Sequence, residues 1–241
     1  KSVLQFLKKQ KINTALVNKI ASHEIGLYLI QNNKIGEKQF YYWRDNSASK
    51  YFFNNQNIKT LSKKLQNFEY IYLTGITLSL LEDKSIDKFM KLIDLLKNKK
   101  AKIIFDLNIR IKRWSKKNLI TCFSKILPKI DIFFASGEDL EMWKGKKNIK
   151  NFRNILNKFK ISHGVFRKNA KYNYSFYCDE KYIVKNKLLK NVIDTSGAGD
   201  GYNAVYLSSF IKHQSPQKAL EDASKIGAKI IMRKGAIVDV R

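Results

Sequence analysis

Two hydrophobic rhythms alternate along the chain. Short apolar runs that suit pleated strands are separated by stretches whose apolar residues recur three and four apart, as on one face of a helix. Residues 28–30 and 39–43 are strand-like and joined by the polar turn around Asn32-Asn33-Lys34, which predicts a hairpin. Residues 69–73 form a strand ending in Thr74-Gly75, after which Ile86, Phe89, Met90, Ile93 and Leu96 keep one helical face. Further strands fall at 102–105, ending at Asp106, and at 131–134, 164–166 and 174–177, with a helix around 116–126. Ser215-Pro216 predicts the cap and first position of a closing helix carrying Leu220, Ala223, Ile226 and Ile230. The opening stretch, 4–17, reads as a short helix that passes through Lys11-Ile12-Asn13-Thr14 into a strand. Alternation of this kind predicts an α/β fold: a doubly wound, mostly parallel sheet with helices on both faces and ligands at the C-terminal ends of its strands. No repeat or low-complexity linker divides the chain, so a single domain with a small β lid, the hairpin at about 26–44, is expected.

Composition narrows the class without naming a function. A chain of 241 residues, 44% of them hydrophobic, is long enough to bury one α/β core. It contains no apolar run long enough to cross a bilayer, and no signal-peptide pattern opens it, so no membrane partner is expected. Cys122 and Cys178 stand far apart without metal-type spacing, which suits a reducing cytoplasm. His23, His163 and His213 are scattered singly and read as surface or packing residues. A formal net charge of +27 would ordinarily suggest nucleic acid. The lysines, however, are spread over the whole chain, runs such as 97–100 and 144–147 are short, and no nucleic-acid motif is present. Lys, Asn and Ile are abundant together and share A/T-rich codons, so base bias accounts for the charge. The positive field still favours anionic ligands.

The chemistry concentrates in Asp194-Thr195-Ser196-Gly197-Ala198-Gly199-Asp200, followed by the helical run Gly201-Tyr202-Asn203-Ala204-Val205-Tyr206-Leu207. Two glycines flank an alanine where a helix should start. Backbone N–H groups there approach an anion closely, and the helix dipole favours negative charge. Asp200 then stands where a carboxylate could accept a proton from an attacking hydroxyl. The plainer alternative is a glycine-rich turn in which Asp200 merely caps the helix.

These residues resemble the C-terminal signature, Asp-Thr-x-Gly-Ala-Gly-Asp, of the ribokinase-like (PfkB-type) carbohydrate kinases. The resemblance implies that Gly197, Ala198 and Gly199 form the anion hole for the transferred phosphate and that Asp200 is the catalytic base; Gly201 stands where relatives often carry Ser or Ala. The P-loop and protein-kinase motifs are absent, so neither of those nucleotide modes applies. Three further stretches resemble one branch, the 2-keto-3-deoxygluconate kinases: Tyr41-Tyr42-Trp43-Arg44-Asp45-Asn46-Ser47-Ala48, Tyr72-Leu73-Thr74-Gly75-Ile76-Thr77-Leu78, and the run from Phe105 through Asn108 and Arg110 to Trp114. The implied sugar-acid contacts are Tyr28 (after Gly26), Tyr42, Arg44, Arg110 and Asp200. Guanidinium groups bind carboxylates through charge-assisted, often bidentate hydrogen bonds, and a neutral sugar has no such need. Taken singly, Arg44 and Arg110 are ordinary strand-end charges, and Tyr28, Tyr42 and Trp43 ordinary sheet packing.

The resemblance also implies ATP and Mg²⁺ as cofactors. Nucleotide contacts fall on Asn108, Ser136 and Arg167, with Ser224 and Gly227 at the adenine. Arg167 opens Arg167-Lys168-Asn169-Ala170-Lys171-Tyr172, where relatives carry a glycine-rich turn. Ser136-Gly137-Glu138-Asp139 replaces the family's Asn-x-x-Glu, leaving Glu138 or Asp139 to act on a metal indirectly. The expected partners are ATP and a small sugar acid, with homo-oligomerisation through the lid; nucleic acid is not expected. Three rivals stay open: a kinase for fructose or ribose, a non-catalytic sugar- or nucleotide-binding remnant, and a basic nucleic-acid-binding module. The family's opening strands and Gly/Asn sugar contacts have no counterpart here, so residues 1–241 alone are expected to be poorly soluble or nearly inactive beside a chain extended upstream.

Overall fold

The computed structural model describes residues 3–32, 38–53, 56–81, 83–110 and 115–240. The centre of the expected hairpin turn, Trp114 and Arg241 lie outside the described residues. The chain opens with helix α1 (Val3–Lys9), and Lys11 then adopts a left-handed φ of 58°. Residues 11–20 form turns and irregular backbone, so the expected passage into a strand is not made. The apolar residues there, Ile12 and Val17, are about half exposed and meet no sheet that would reward extension. Strands β1 (Leu27–Asn32) and β2 (Lys38–Trp43) pair antiparallel as a separate two-stranded ribbon, with Tyr28 opposite Tyr42.

Helix α2 (Ile58–Leu65) leads to the main sheet. Its strands are β3 (Tyr70–Thr74), β4 (Lys102–Asp106), β5 (Ile132–Ser136), β6 (His163–Arg167), β7 (Tyr172–Tyr177) and β8 (Glu180–Lys185), hydrogen-bonded in sequence order. The first four are parallel, and β7 and β8 are antiparallel additions. Parallel neighbours need crossovers. Short α3 (Gly75–Ser79) and long α4 (Asp83–Asn98) join β3 to β4, α5 (Lys116–Ile126) joins β4 to β5, and α6 (Gly137–Lys144) and α7 (Ile149–Phe159) join β5 to β6. After β8 come α8 (Ala198–His213) and α9 (Pro216–Ile231). Ser215 accepts from the Lys218 N–H at 3.2 Å and Pro216 takes the first helical position, as the sequence predicts.

The central strands alternate their side chains between two apolar layers. Ile103, Phe105, Phe133 and Phe166 pack with Phe123, Phe152 and the residues of α4 to α7 on one face. Ile104, Ile132, Phe134 and Val165 pack with Tyr206, Phe210, Leu220 and Ala223 of α8 and α9 on the other. Helices thus cover both faces, and the sheet reads as nearly continuous apolar runs because neither face is wet. Since β3 to β6 run in one direction, their C-terminal ends, Thr74, Asp106, Ser136 and Arg167, emerge along a single edge. That edge is where the expected chemistry belongs.

One polar group is sealed into the second layer. His163 is buried; its Nε2 lies 2.7 Å from the Tyr206 hydroxyl, which also lies 2.7 Å from Ser175 Oγ. Burial pushes the imidazole pKa down to about 3, so the ring is neutral in the folded chain. Because the folded pKa is depressed, the unfolded chain binds more protons between about pH 6.5 and 3, and acid favours unfolding through this group. We expect stability to be full above about pH 6.5 and to fall by on the order of 3 kcal/mol near pH 4 from this residue. In His163→Gln the slope should flatten over that window, as read by urea unfolding at stepped pH; an unchanged slope would remove the assignment.

Candidate active site

A cleft of about 990 Å³ runs along the C-terminal edge of the parallel strands. Its walls bring together Tyr28, Tyr42, Arg44, Asn108, Arg110, Ser136, Glu138, Asp139, Arg167, Gly197, Gly199 and Asp200, which the sequence singles out. Ala198, Ser224 and Gly227 line an adjoining cavity of about 500 Å³ instead, and Arg167 and Gly199 border both. The two cavities therefore meet at the start of α8.

That start is built by backbone geometry. Gly197 has φ 72° and ψ −5°, and no side chain caps the helix. A methyl at Gly197 would fall 2.4 Å from the Ala236 carbonyl oxygen, so both conformation and space require glycine. Asp194 anchors the approach: its Oδ1 accepts from the Ser196 N–H at 2.9 Å and its Oδ2 from the Gly235 N–H at 3.0 Å. The first-turn N–H groups of a helix have no intrahelical partner, so an uncapped start facing a cleft suits an anion. Asp200, exposed on that first turn, supplies a carboxylate beside it.

The loop after β4 is stapled to the next strand and helix. The Leu107 N–H donates to the Phe134 carbonyl at 2.9 Å, and the Ile109 N–H to Asp139 Oδ1 at 2.7 Å. Asn108 between them takes a positive φ of 29°, a turn that asparagine tolerates better than most residues. Asn108 and Arg110 are thereby presented on the cleft wall. Asp139 Oδ2 accepts from the Ser136 hydroxyl at 2.7 Å, and Ser136 Oγ accepts from the Asp139 N–H at 3.1 Å, closing a reciprocal cap on α6. Both Asp139 oxygens are thus committed to backbone and cap. Glu138 stays exposed at the rim.

Across the cleft, the ribbon presents Tyr28, Ile30, Tyr42 and Arg44. The Arg44 guanidinium carbon sits 4.2 Å from the Tyr42 ring centroid, and Arg44 Nε is buried without a hydrogen-bond partner among the described residues. Sequence reasoning passed over two contributors to this region. Asp106, on the cleft wall, accepts from the Tyr72 hydroxyl at 3.3 Å, a contact between residues 34 apart that no local pattern signals. The segment carrying Ala236, Ile237, Val238 and Val240 also lines the wall, and its Ala236 carbonyl is what a side chain at position 197 would meet.

The model of the pfkB family carbohydrate kinases matches residues 1–241. The chain belongs to this family. Among curated relatives of this pfkB-family kinase, 2-dehydro-3-deoxygluconokinase of Haemophilus influenzae is 30% identical over 243 aligned residues, covering 99% of this chain and 77% of that protein. The solved 2-dehydro-3-deoxygluconokinase of Thermotoga maritima is similar in fold, with TM-score 0.71 and 20% identity over 89% of this chain and 69% of that one. A fructokinase of Vibrio cholerae, solved with fructose, ADP and potassium, has TM-score 0.80 and 21% identity over 97% of this chain and 75% of that one. The α/β architecture of the pfkB-family kinases is the one described above.

Gly197→Ala should cost roughly 1–3 kcal/mol in urea unfolding, from the left-handed backbone and the Ala236 clash. Gly201→Ala is the control, since its added methyl meets only the flexible tip of Ile230. Equal losses in the two variants would show that the Gly197 backbone is not the constraint.

Proposed function

We propose that this chain transfers the γ-phosphoryl group of ATP to the terminal hydroxyl of 2-dehydro-3-deoxygluconate (2-keto-3-deoxygluconate), giving the 6-phosphate. The observation that carries the reading is the pairing, across one cleft, of an uncapped helix start bearing Asp200 with two arginines, Arg44 and Arg110. A sugar acid has a carboxylate for the arginines and a hydroxyl for Asp200. Names of curated relatives at about 30% identity support the same substrate.

In this reading ATP lies in the adjoining cavity with its base near Ser224 and Gly227, and its phosphates pass Arg167, Asn108 and Ser136 toward Gly197–Gly199. Arg44 and Arg110 hold the carboxylate, Tyr28 and Tyr42 flank the sugar, and Asp200 accepts the proton of the attacking hydroxyl. Charge developing on the transferred group meets N–H dipoles that are already oriented, which is where such a site gains most of its rate. Among the described residues no group of three His, Cys, Asp or Glu side chains gathers to hold a metal. Magnesium is commonly bound by phosphates, water and one or two carboxylates; of the two candidates Glu138 and Asp139, the exposed Glu138 fits an indirect, water-relayed contact of that kind, since both Asp139 oxygens are already engaged. When bound it would neutralise phosphate charge.

The ribbon of β1 and β2 serves as a lid over a single catalytic domain and as the surface for any homo-oligomer. No helix among the described residues is long and apolar enough to cross a membrane, and the unpaired Cys122 and Cys178 suit a cytoplasmic setting.

Asp200→Asn removes the proton acceptor at nearly constant shape. Turnover should fall by roughly two to four orders of magnitude while ATP binding persists; retention of near wild-type turnover would refute the base. Arg44→Ala should raise KM for the sugar acid far more than for ATP, through a charge-assisted contact worth roughly 1.5–3 kcal/mol. Steady-state kinetics with both substrates checks this. Equal change for both, or activity on fructose or ribose that ignores Arg44, would point to a folding role or a neutral sugar.

A further inference from the structure

Beneath the first turn of α8 lies a polar chain that the proposed reaction leaves unassigned. Asn203 Nδ2 donates to the Tyr72 hydroxyl at 3.1 Å, and that hydroxyl donates to Asp106 Oδ2 at 3.3 Å. Asp106 Oδ1 lies 3.9 Å from Arg167 Nη2. Arg167 closes the circuit, because a methyl on Gly199 would fall 2.5 Å from its Nη1. The chain therefore leaves α8 at Asn203, crosses β3, β4 and β6, and returns to α8 two residues into the anion hole. The Tyr72 ring is 43% exposed, but its hydroxyl turns inward, and burial together with the Asp106 charge pushes the phenol pKa up.

Three atoms of this circuit are left unsatisfied. Asp106 Oδ1, Arg167 Nε and Asn203 Oδ1 are buried and lack hydrogen-bond partners among the described residues. At 3.9 Å the two ions attract each other without making an N–H···O bond. Asp106 is only 1% exposed, so this looseness costs free energy that a bidentate pair would recover. A buried defect of this kind calls for an explanation. The charges supply one. Asp106 and Asp200 both act on the same neighbourhood: burial raises the Asp106 carboxyl to about 6 and Arg167 opposes that rise, while Asp139 and Asp200 add to it. Without Asp106, the Arg167 guanidinium would be drawn to Asp200, the carboxylate that must stay free to take a proton.

We propose that Asp106 is a positioning residue for phosphoryl transfer: its charge, held by Tyr72 and Asn203, keeps the Arg167 guanidinium beside the start of α8 and away from Asp200, loosely enough to turn toward phosphoryl oxygens. The inference rests on the reading of Gly197–Asp200 as the transfer site. A fully bonded pair would lock the guanidinium, and a missing partner would release it onto the base.

The test is a double-mutant cycle in the full chain, assayed with ATP and 2-dehydro-3-deoxygluconate. Asp106→Asn should lower kcat by roughly 10–100-fold, the scale of an ångström's misplacement, with KM for the sugar acid changed less than about twofold. Arg167→Gln should lower kcat as well, and the double variant should be no slower than the slower single variant. Unchanged kcat in Asp106→Asn, additive losses, or KM rising as much as kcat falls would overturn the proposal. Should Asp106→Asn fail to fold, Tyr72→Phe carries the test: a severalfold fall in kcat at constant KM supports it, and unaltered kcat sinks it. Asp200→Asn in the same assay separates the two ideas. An active Asp200→Asn overturns the transfer-site reading and this inference with it, whereas an inactive Asp200→Asn beside a fully active Asp106→Asn overturns this inference alone.

Discussion

Helix α8 begins without a capping side chain, and most of the site's construction follows from that constraint. A helix start carries N–H groups that must find acceptors outside the helix. Here the usual remedy, a serine or aspartate at the cap, is replaced by Gly197 with φ 72°. Asp194, a capping residue by type, is spent three residues earlier on the Ser196 and Gly235 N–H groups. It ties the loop to the tail of the chain and leaves the helix end open. An open end costs stability in the free protein and becomes favourable only when an anion arrives, which is the electrostatic logic of a phosphate site.

The sheet makes that open end useful. Four parallel strands finish on the same edge, and each finishes on a polar residue that lines the cleft or lies just before one that does: Thr74, Asp106, Ser136 and Arg167. Their spacing is fixed by backbone ladders rather than by side-chain contacts, so the polar groups inherit the rigidity of an aromatic core in which Phe105, Phe133, Phe152 and Phe166 stack in series. The loop after β4 shows how this rigidity is extended past the last ladder bond. Asp139, on α6, accepts from the Ile109 N–H and so carries the geometry of β5 over to Asn108 and Arg110.

Much of this was legible in the sequence, for identifiable reasons. The strand ends at Thr74 and Asp106, the Ser215-Pro216 helix start and the Gly-Ala-Gly-Asp helix start are local signals, carried by residues within a few positions of one another. The strand expected after Thr14 was not formed, because a period-two pattern extends only where a neighbouring strand accepts its hydrogen bonds, and turns occupy residues 11–20. Strand β8 was missed for the opposite reason. Its alternating exposed and half-buried residues, Glu180 to Lys185, form a sheet edge with weak hydrophobic contrast. Asp106 was visible only as the end of a strand. Its significance comes from Tyr72, Arg167 and Asn203, which the fold gathers from distant positions, and one-dimensional patterns do not encode such meetings.

The ribbon of β1 and β2 has a peculiarity with its own consequence. Tyr28, Ile30 and Tyr42 face the cleft, while Leu27, Leu29 and Trp43 on the reverse side are more than half exposed. Ordinarily the contrast between an oily face and a wet one tells two strands how to align, because a slip by one residue exchanges every side chain between faces. Here both faces are aromatic or aliphatic, so that contrast is nearly absent, and alignment must be dictated from the ribbon's root. The bridge between Glu24 and Ser47, and the Ala48 N–H bonded to the Glu24 carbonyl at 3.0 Å, clamp the two strands where they enter and leave. A clasp of backbone outside the cleft thus decides whether the substrate meets two tyrosines and an arginine or a wall of leucine and tryptophan.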